Sequence, residues 1–332
     1  MSITLAVANI ALDTASVSRQ GFGGILFVGK HNYFPERTRT YTSTKAMLED
    51  GIPTTSNIYA AAQGAFSQNP SPTELTIGRQ ETTSLLTPVT PTTDLEYKVT
   101  LTSNGKIATE YTYTALVGDT DEEAIVDALQ ALIDADTDMA DKVTTAKSGT
   151  GVDAKLALVQ TVSGVDWYTV DALTNLTESF VATSTETAAE TIAAIQDEND
   201  SWYYFTAEDH TETFVTEAAQ DLEAKLKYYR FSTSDTNSLL ATPTGAIAVP
   251  STNSYDRSSG IYSHEADTKF PEVAALAEIA FAVTGTVIYT NRQVTGVQPS
   301  LNALGLPLTT TEQNNLKSVN ADFFARVGGG AS

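Results

Sequence analysis

Trp202-Tyr-Tyr-Phe-Thr206, then Phe214, Val215, Ala218, Ala219, Leu222 and Leu226 spaced along a polar background, then Tyr228-Tyr-Arg-Phe-Ser232, form the stretch on which the fold turns. The two aromatic runs are short and rich in strand formers, and the six apolar residues between them recur every three or four positions, as one face of a helix does. The alternation continues on both sides. Upstream, Thr187-Ala-Ala-Glu190 has capping-box spacing and opens a helix to about Asp197. Downstream, Gly245-Ala-Ile-Ala-Val249 reads as another strand, and Pro271 opens a heavily apolar helix to Val283. Strand and helix taking turns predict an α/β layer on a mainly parallel sheet.

The first eighty residues extend that layer. Gly24-Ile-Leu-Phe-Val-Gly29 is an apolar run of buried-strand length, Ser56 to Phe66 is helical until Gln68-Asn-Pro70 stops it, and Glu74-Leu-Thr-Ile-Gly78 is a strand. The middle differs in charge. Residues 1–80 hold 5 acids and 6 bases, residues 81–186 hold 18 and 5, and residues 187–332 hold 18 and 8. The edges of that acidic middle are rich in Thr, Ser and Pro, as linkers are: residues 81–94 going in and 181–187 coming out. Within it, Tyr97 to Ser103 and Glu110 to Thr114 alternate around Asn104-Gly105 as a hairpin. Thr120 and Glu123 have capping-box spacing before a helix over residues 121–134. Lys142 to Ala146 and Leu156 to Val162 flank Ser148-Gly-Thr-Gly151 as a second hairpin. The expected organisation is an N-terminal arm over residues 1–20, a discontinuous α/β core from 21–80 and 187–332, and an inserted β-β-α-β-β unit over 81–186. In class this is α/β, α+β overall: a mixed, mainly parallel sheet flanked by helices.

Composition narrows function. A length of 332 residues predicts about two domains. The formal charge of -22 repels phosphate backbones and anionic headgroups, so neither direct nucleic-acid binding nor membrane insertion is expected. Cysteine is absent, which excludes disulfides and thiolate chemistry. Val273 to Val283, interrupted by Glu278, is far shorter than a membrane span. Met1 to Leu12 is apolar but has no basic flank, and it reads as mature structure, not a leader.

Several motifs match a pattern without its context. Gly24 to Lys30 has phosphate-loop spacing, but His31 stands where a hydroxyl should hold magnesium and the intervening residues are the apolar middle of a strand. Gly21-Phe-Gly-Gly24 precedes a strand where a dinucleotide fingerprint follows one. Asp134, Asp136 and Asp138 open like a calcium loop, yet Met139 and Thr145 occupy the positions that need Gly and Glu. The pairs Asp209-His210 and His264-Glu265 are read as surface residues, because no Gly-x-Ser-x-Gly elbow supplies a serine. The aromatic runs are read as core strands rather than a stacking platform. No catalytic residue, metal or cofactor is expected.

Six stretches together resemble the sheath proteins of contractile phage tails, in order and approximate spacing: Gly21 to Gly29, Glu36-Arg-Thr-Arg-Thr-Tyr-Thr-Ser43, Phe66 to Arg79, Ile195-Gln-Asp-Glu-Asn-Asp-Ser-Trp-Tyr-Tyr204, Lys225 to Asp235, and Arg257-Ser-Ser-Gly-Ile-Tyr-Ser263. Such sheaths also carry an outward-facing domain after the equivalent of Arg79. The resemblance implies a subunit that polymerises with itself helically around a tail tube protein, meets baseplate and tail terminator proteins at the ends, and contracts to drive the tube through the host envelope. It implies assembly in the host cytoplasm and residence in the virion. Sheaths of this kind continue past the equivalent of Phe323 to Gly330 into a C-terminal domain, which is expected to be absent from these 332 residues. The arm that would pair with a neighbour's sheet is Ile3 to Leu12, with Ile3, Leu5, Val7 and Ile10 as its self-assembly residues. Two other readings compete: an acidic carbohydrate or cell-surface binding module using the aromatic runs, and an α/β hydrolase or nucleotide enzyme.

Overall fold

The computed structural model describes residues 24–280 and 293–325. The arm residues Ile3, Leu5, Val7 and Ile10, and the last turn of the helix expected to reach Val283, lie outside the described residues.

The chain enters through β1 (Ile25–Lys30), where alternation decides the layering. Ile25 and Phe27 face one side and pack in a cluster with Phe34, Met47 and Ile58, while Leu26 and Val28 face the other and pack in a cluster with Ile192, Val215 and Phe231. Strand β2 (Thr38–Tyr41) and helices α1 (Thr44–Glu49) and α2 (Asn57–Phe66) follow, the helices capped by Ser43 and Ser56 hydroxyls that accept from Ala46 N and Tyr59 N. Strand β3 (Leu75–Gln80) then lies parallel to β1, with β2 antiparallel on its outer edge.

Next comes a body with its own core. It holds β4 (Ser84–Pro88), β5 (Glu96–Ser103), β6 (Thr109–Thr114), α3 (Glu122–Asp134), α4 (Thr137–Ala140), β7 (Val143–Ser148), β8 (Lys155–Gln160), β9 (Tyr168–Thr174) and β10 (Leu176–Phe180). Two antiparallel sheets form, in the orders β10-β4-β8-β7 and β6-β5-β9. Ile125, Val126, Leu129 and Ile133 of α3 pack with Tyr97, Val99, Leu156 and Leu158 from both sheets. The two hairpins and the helix are as the sequence predicts, but β-β-α-β-β undercounts the strands. The Ser/Thr/Pro-rich entry is strand β4, not a linker: Ser84, Leu86 and Pro88 alternate inward, and the Ser84 hydroxyl is satisfied by Glu178. Thr120 does not cap α3 either. Asp121 is the N-cap, and Glu123 turns to Lys147 Nζ and the amide of Gly151.

The chain leaves this body beside its point of entry, since Ser84 pairs with Phe180 and Val181 N donates to Thr83 O at 3.1 Å. Then follow α5 (Ala188–Glu198), β11 (Tyr204–Ala207), α6 (Glu212–Ala224), β12 (Tyr228–Thr233), α7 (Val249–Asn253), β13 (Ser258–Tyr262), α8 (Ala266–Lys269), α9 (Pro271–Ala280), α10 (Thr310–Ser318) and β14 (Asp322–Phe323). Thr187 and Glu190 form the expected capping box on α5. Trp202, Phe205, Tyr229 and Phe231 lie in the core, as the aromatic runs predict.

Gly245 to Val249 is not a strand. Gly245 takes a φ of 78°, Ala246–Ala248 form a 3-10 turn and Pro250 lies in the first turn of α7, so the strand falls to Ser258–Tyr262. Pro250 has no amide to give a ladder, whereas it suits a helix start. Gly260 in β13 leaves room for Ile247 and Phe231, whose side chains a Cβ there would approach at 2.6 and 2.9 Å.

The finished sheet runs β14-β13-β12-β11-β1-β3-β2, parallel except for β2. Residues of α1, α2 and α9 join the cluster on one face, and residues of α5, α6, α7 and α10 join the cluster on the other. Among the described residues, no helix is long and apolar enough to cross a membrane.

Candidate functional site

In an open sheet of this kind, ligands bind beyond the carboxyl ends of the strands where the winding reverses. Here that point lies between β1, which leads to β3 on one side, and β11, which begins the run to β14 on the other. The protein's own side chains occupy it. Glu208, just past β11, accepts from Lys30 N at 3.0 Å and from Asn57 Nδ2 at 2.8 Å. That puts a carboxylate at the N-terminus of α2, where a bound anion would otherwise be stabilised. Lys30, the cation of the apparent phosphate loop, closes β1 and reaches Asp209 at 2.9 Å and the carbonyl of Ala182. It therefore ties the sheet to the exit of the inserted body. Gly29 is required by proximity, because a Cβ there would lie 2.3 Å from Ile58 Cγ2 of α2.

The histidines correct a sequence expectation. Only His264 is exposed. His31 is buried at 1% exposure, and burial followed by the nearby Arg79 charge lowers it to about 3, so it is neutral. The His210 side chain is also buried, at 6% exposure, with Nδ1 3.1 Å from Asp267 Oδ1 and Nε2 3.2 Å from Glu272 Oε1. Burial alone would disfavour its charge, but Glu272 and Asp267 outweigh that and raise it to about 9. Ser234 Oγ donates to Asp267 Oδ2 at 2.6 Å rather than to the ring. With a carboxylate on each nitrogen, His210 has no nitrogen left to activate a serine and acts as a charged strut from the end of β11 to α8 and α9. Asp209 and His210, adjacent in sequence, serve different partners.

A second cluster joins the sheet to the inserted body. The Arg37 guanidinium meets Glu186 through two hydrogen bonds of 2.9 and 2.7 Å and Glu81 through one of 2.7 Å. Side-chain exposures of 11%, 1% and 5% for Arg37, Glu81 and Glu186 make this a buried ion cluster. Burial alone would lower the Arg37 pKa, but Glu186 and Glu81 raise it. Glu81 also accepts from Ser163 Oγ and Gly164 N in the β8–β9 loop, and Glu186 accepts from the amide of Glu81. The two carboxylates stand at the two crossings of the chain, so one arginine fastens both. A polar network beside it continues the attachment: Asn32 Nδ2 donates to Tyr168 Oη at 2.9 Å and to Ser84 Oγ at 3.3 Å, and its Oδ1 accepts from Gln160 Nε2 at 3.3 Å.

Between these attachments and the N-terminus of α2 opens a cleft of about 730 Å3, walled by Tyr33 and Asn57 on the sheet side and by Glu178 and Phe180 on the inserted side. The aspartates of the apparent calcium loop lie elsewhere, in the inserted body. Asp134 accepts from Thr145 Oγ1, Asp136 pairs with Lys106 and accepts from Tyr111 Oη, and Asp138 is exposed. Among the described residues, no group of three or more His, Asp or Glu side chains is placed to hold a metal. Sequence reasoning missed Arg37, Glu81 and Glu186. The one available signal was an Arg-Thr-Arg-Thr-Tyr alternation that sets Arg37 and Arg39 on one side of a strand edge.

No family model matches the chain, and no curated protein matches it.

Proposed function

We propose that the chain is a structural subunit of a contractile phage tail sheath, polymerising helically with itself around the tail tube and contracting to drive it through the host envelope. One observation carries the reading. The six stretches that carry the resemblance are dispersed over more than two hundred residues, yet in order they contain or lead into β1, β2, β3, β11, β12 and β13, six neighbouring strands of one sheet. Chance likeness in separate loops would not converge on one continuous layer.

The attachment of the inserted body suits such a subunit. A lattice that transmits force needs each protrusion held at a fixed angle, and the Arg37 guanidinium, bridging carboxylates at both chain crossings, suits that need. A heterologous contact that does not close on itself generates a helix, so one repeated interface suffices for a sleeve. The tube protein lines the inside, baseplate and terminator proteins meet the ends, and assembly in the host cytoplasm precedes residence in the virion. The carbohydrate-module reading is weakened, since four of the seven aromatics in the two runs, Trp202, Phe205, Tyr229 and Phe231, are at most 3% exposed.

Electron microscopy with light scattering tests the proposal. Rings, short sleeves or tubes that grow with protein concentration are expected. A protein that stays monodisperse and monomeric at every concentration would overturn the proposal.

A further inference from the structure

The cleft between the sheet and the inserted body has a charge imbalance that its own residues do not settle. Tyr33 and Phe180 meet edge to face with ring centroids 5.5 Å apart. Burial, followed by the charges of Glu178 and Glu208, pushes the Tyr33 hydroxyl above its ordinary range, which sets both carboxylates near that ring. Glu208 is fully engaged by Asn57 and Lys30. Glu178 is not: Oε1 accepts from Ser84 Oγ at 2.7 Å, and Oε2 accepts from none of the described residues. Its carboxyl is drawn back from water, and burial pushes it up to about 7. Lys30, the one lysine or arginine on the wall among the described residues, is committed to Asp209 and Ala182. Ile58 and Val170 add apolar surface.

We propose that this cleft receives an alkylguanidinium or alkylammonium group, with the cation against Glu178 Oε2 and its methylene stem along Tyr33 and Phe180. A carboxylate out of water gains a charge-assisted hydrogen bond from such a group, and aromatic walls favour a cation and its stem together. An anion would meet Glu178, Glu208 and Asp171 with no free countercharge on the wall. The same chemistry is offered by a free amine and by an arginine or lysine of another protein, and the inference stands apart from the sheath reading.

The test is an NMR titration of the 332-residue chain with agmatine, with a Gly-Ser-Arg-Ser-Gly peptide amide, and with the same peptide carrying citrulline in place of arginine. Saturable shifts at Tyr33 and Phe180 are expected with agmatine or the arginine peptide and not with citrulline. Equal affinities mean that the head group suffices, a tighter peptide points to a protein partner, and agmatine alone points to a free amine. Glu178→Gln is expected to weaken binding at least about tenfold. Phe180→Ala, which removes one of the two aromatic walls, is expected to weaken binding while leaving the thermal transition in place. Absence of saturable shifts, equal binding of the citrulline peptide, or unchanged affinity in both variants would overturn the proposal.

Discussion

Replacing Arg37 by methionine keeps most of the side-chain volume and removes the charge that Glu81 and Glu186 share. Both carboxylates are then left buried, at 1% and 5% exposure, with amide and hydroxyl donors but no cation beside them except Arg79, whose own guanidinium is engaged by the carbonyls of Pro35 and Glu36. Removing one partner from a buried pair costs about 3–5 kcal/mol, most of it the penalty of stranding the other charge. For a cooperative transition of 332 residues, at ~2.1 cal/mol/K each, the unfolding entropy is about 0.7 kcal/mol/K, so the midpoint should fall by about 4–7 °C. Urea titration followed by fluorescence, with calorimetry, measures both quantities. Hydrogen exchange should show early opening at Glu81, Gly164 and Glu186. The triple variant Arg37→Met, Glu81→Gln, Glu186→Gln should recover part of the loss, because it removes both stranded carboxylates while the buried Arg79 guanidinium keeps its carbonyl partners. A single-variant cost below about 1 kcal/mol, the scale of exposed pairs, or a triple variant worse than the single one, would refute the buried-charge reasoning.

Three further outcomes follow from the same geometry. Since His210 is raised from 6.5 to about 9, the folded chain holds an extra proton between those values; the strut's full contribution is present below about pH 6.5 and is lost as pH rises through 9, about 3 kcal/mol in all. Urea titrations from pH 6 to 10 should show that fall in the parent and a flatter profile in His210→Asn. Gly29→Ala forces a methyl to within 2.3 Å of Ile58 Cγ2, so chemical denaturation should show a loss of about 1–3 kcal/mol, and that loss should be smaller when measured in an Ile58→Ala background, where Cγ2 is absent. Replacing residues 81–186 by a short Gly/Ser linker should leave a soluble remainder with its own thermal transition, because Ser84 and Phe180 are already neighbours; aggregation without a transition would show that the core depends on the insert.

The sequence makes the layered core legible where burial imposes a period. Phe214, Val215, Ala218, Ala219 and Leu222 are all buried on one side of α6, and β1 could be placed because its short apolar run, with β-branched and aromatic residues between two glycines, is of strand length. Composition misleads where a segment's surroundings outweigh its own preference. Ser84 to Pro88 has linker composition but becomes a strand because β8 and β10 flank it, and Gly245 to Val249 has an apolar run but turns at Gly245 before Pro250. The partners in the attachment cluster were not legible, since the alternation around Arg37 marks a strand edge and not what the side chain meets. Arg37 meets Glu81 across 44 positions and Glu186 across 149, and His210 meets its carboxylates across 57 and 62, separations that no local pattern encodes.

Immunogold electron microscopy of intact phage particles bears most directly on the central proposal, using antibodies raised against the purified inserted body, residues 81–186. A sheath subunit whose insert faces outward should place label along the whole length of extended tails, at regular spacing, and on the shortened sleeve after contraction. Label confined to fibres, baseplate or head, or no label on any tail, would contradict it.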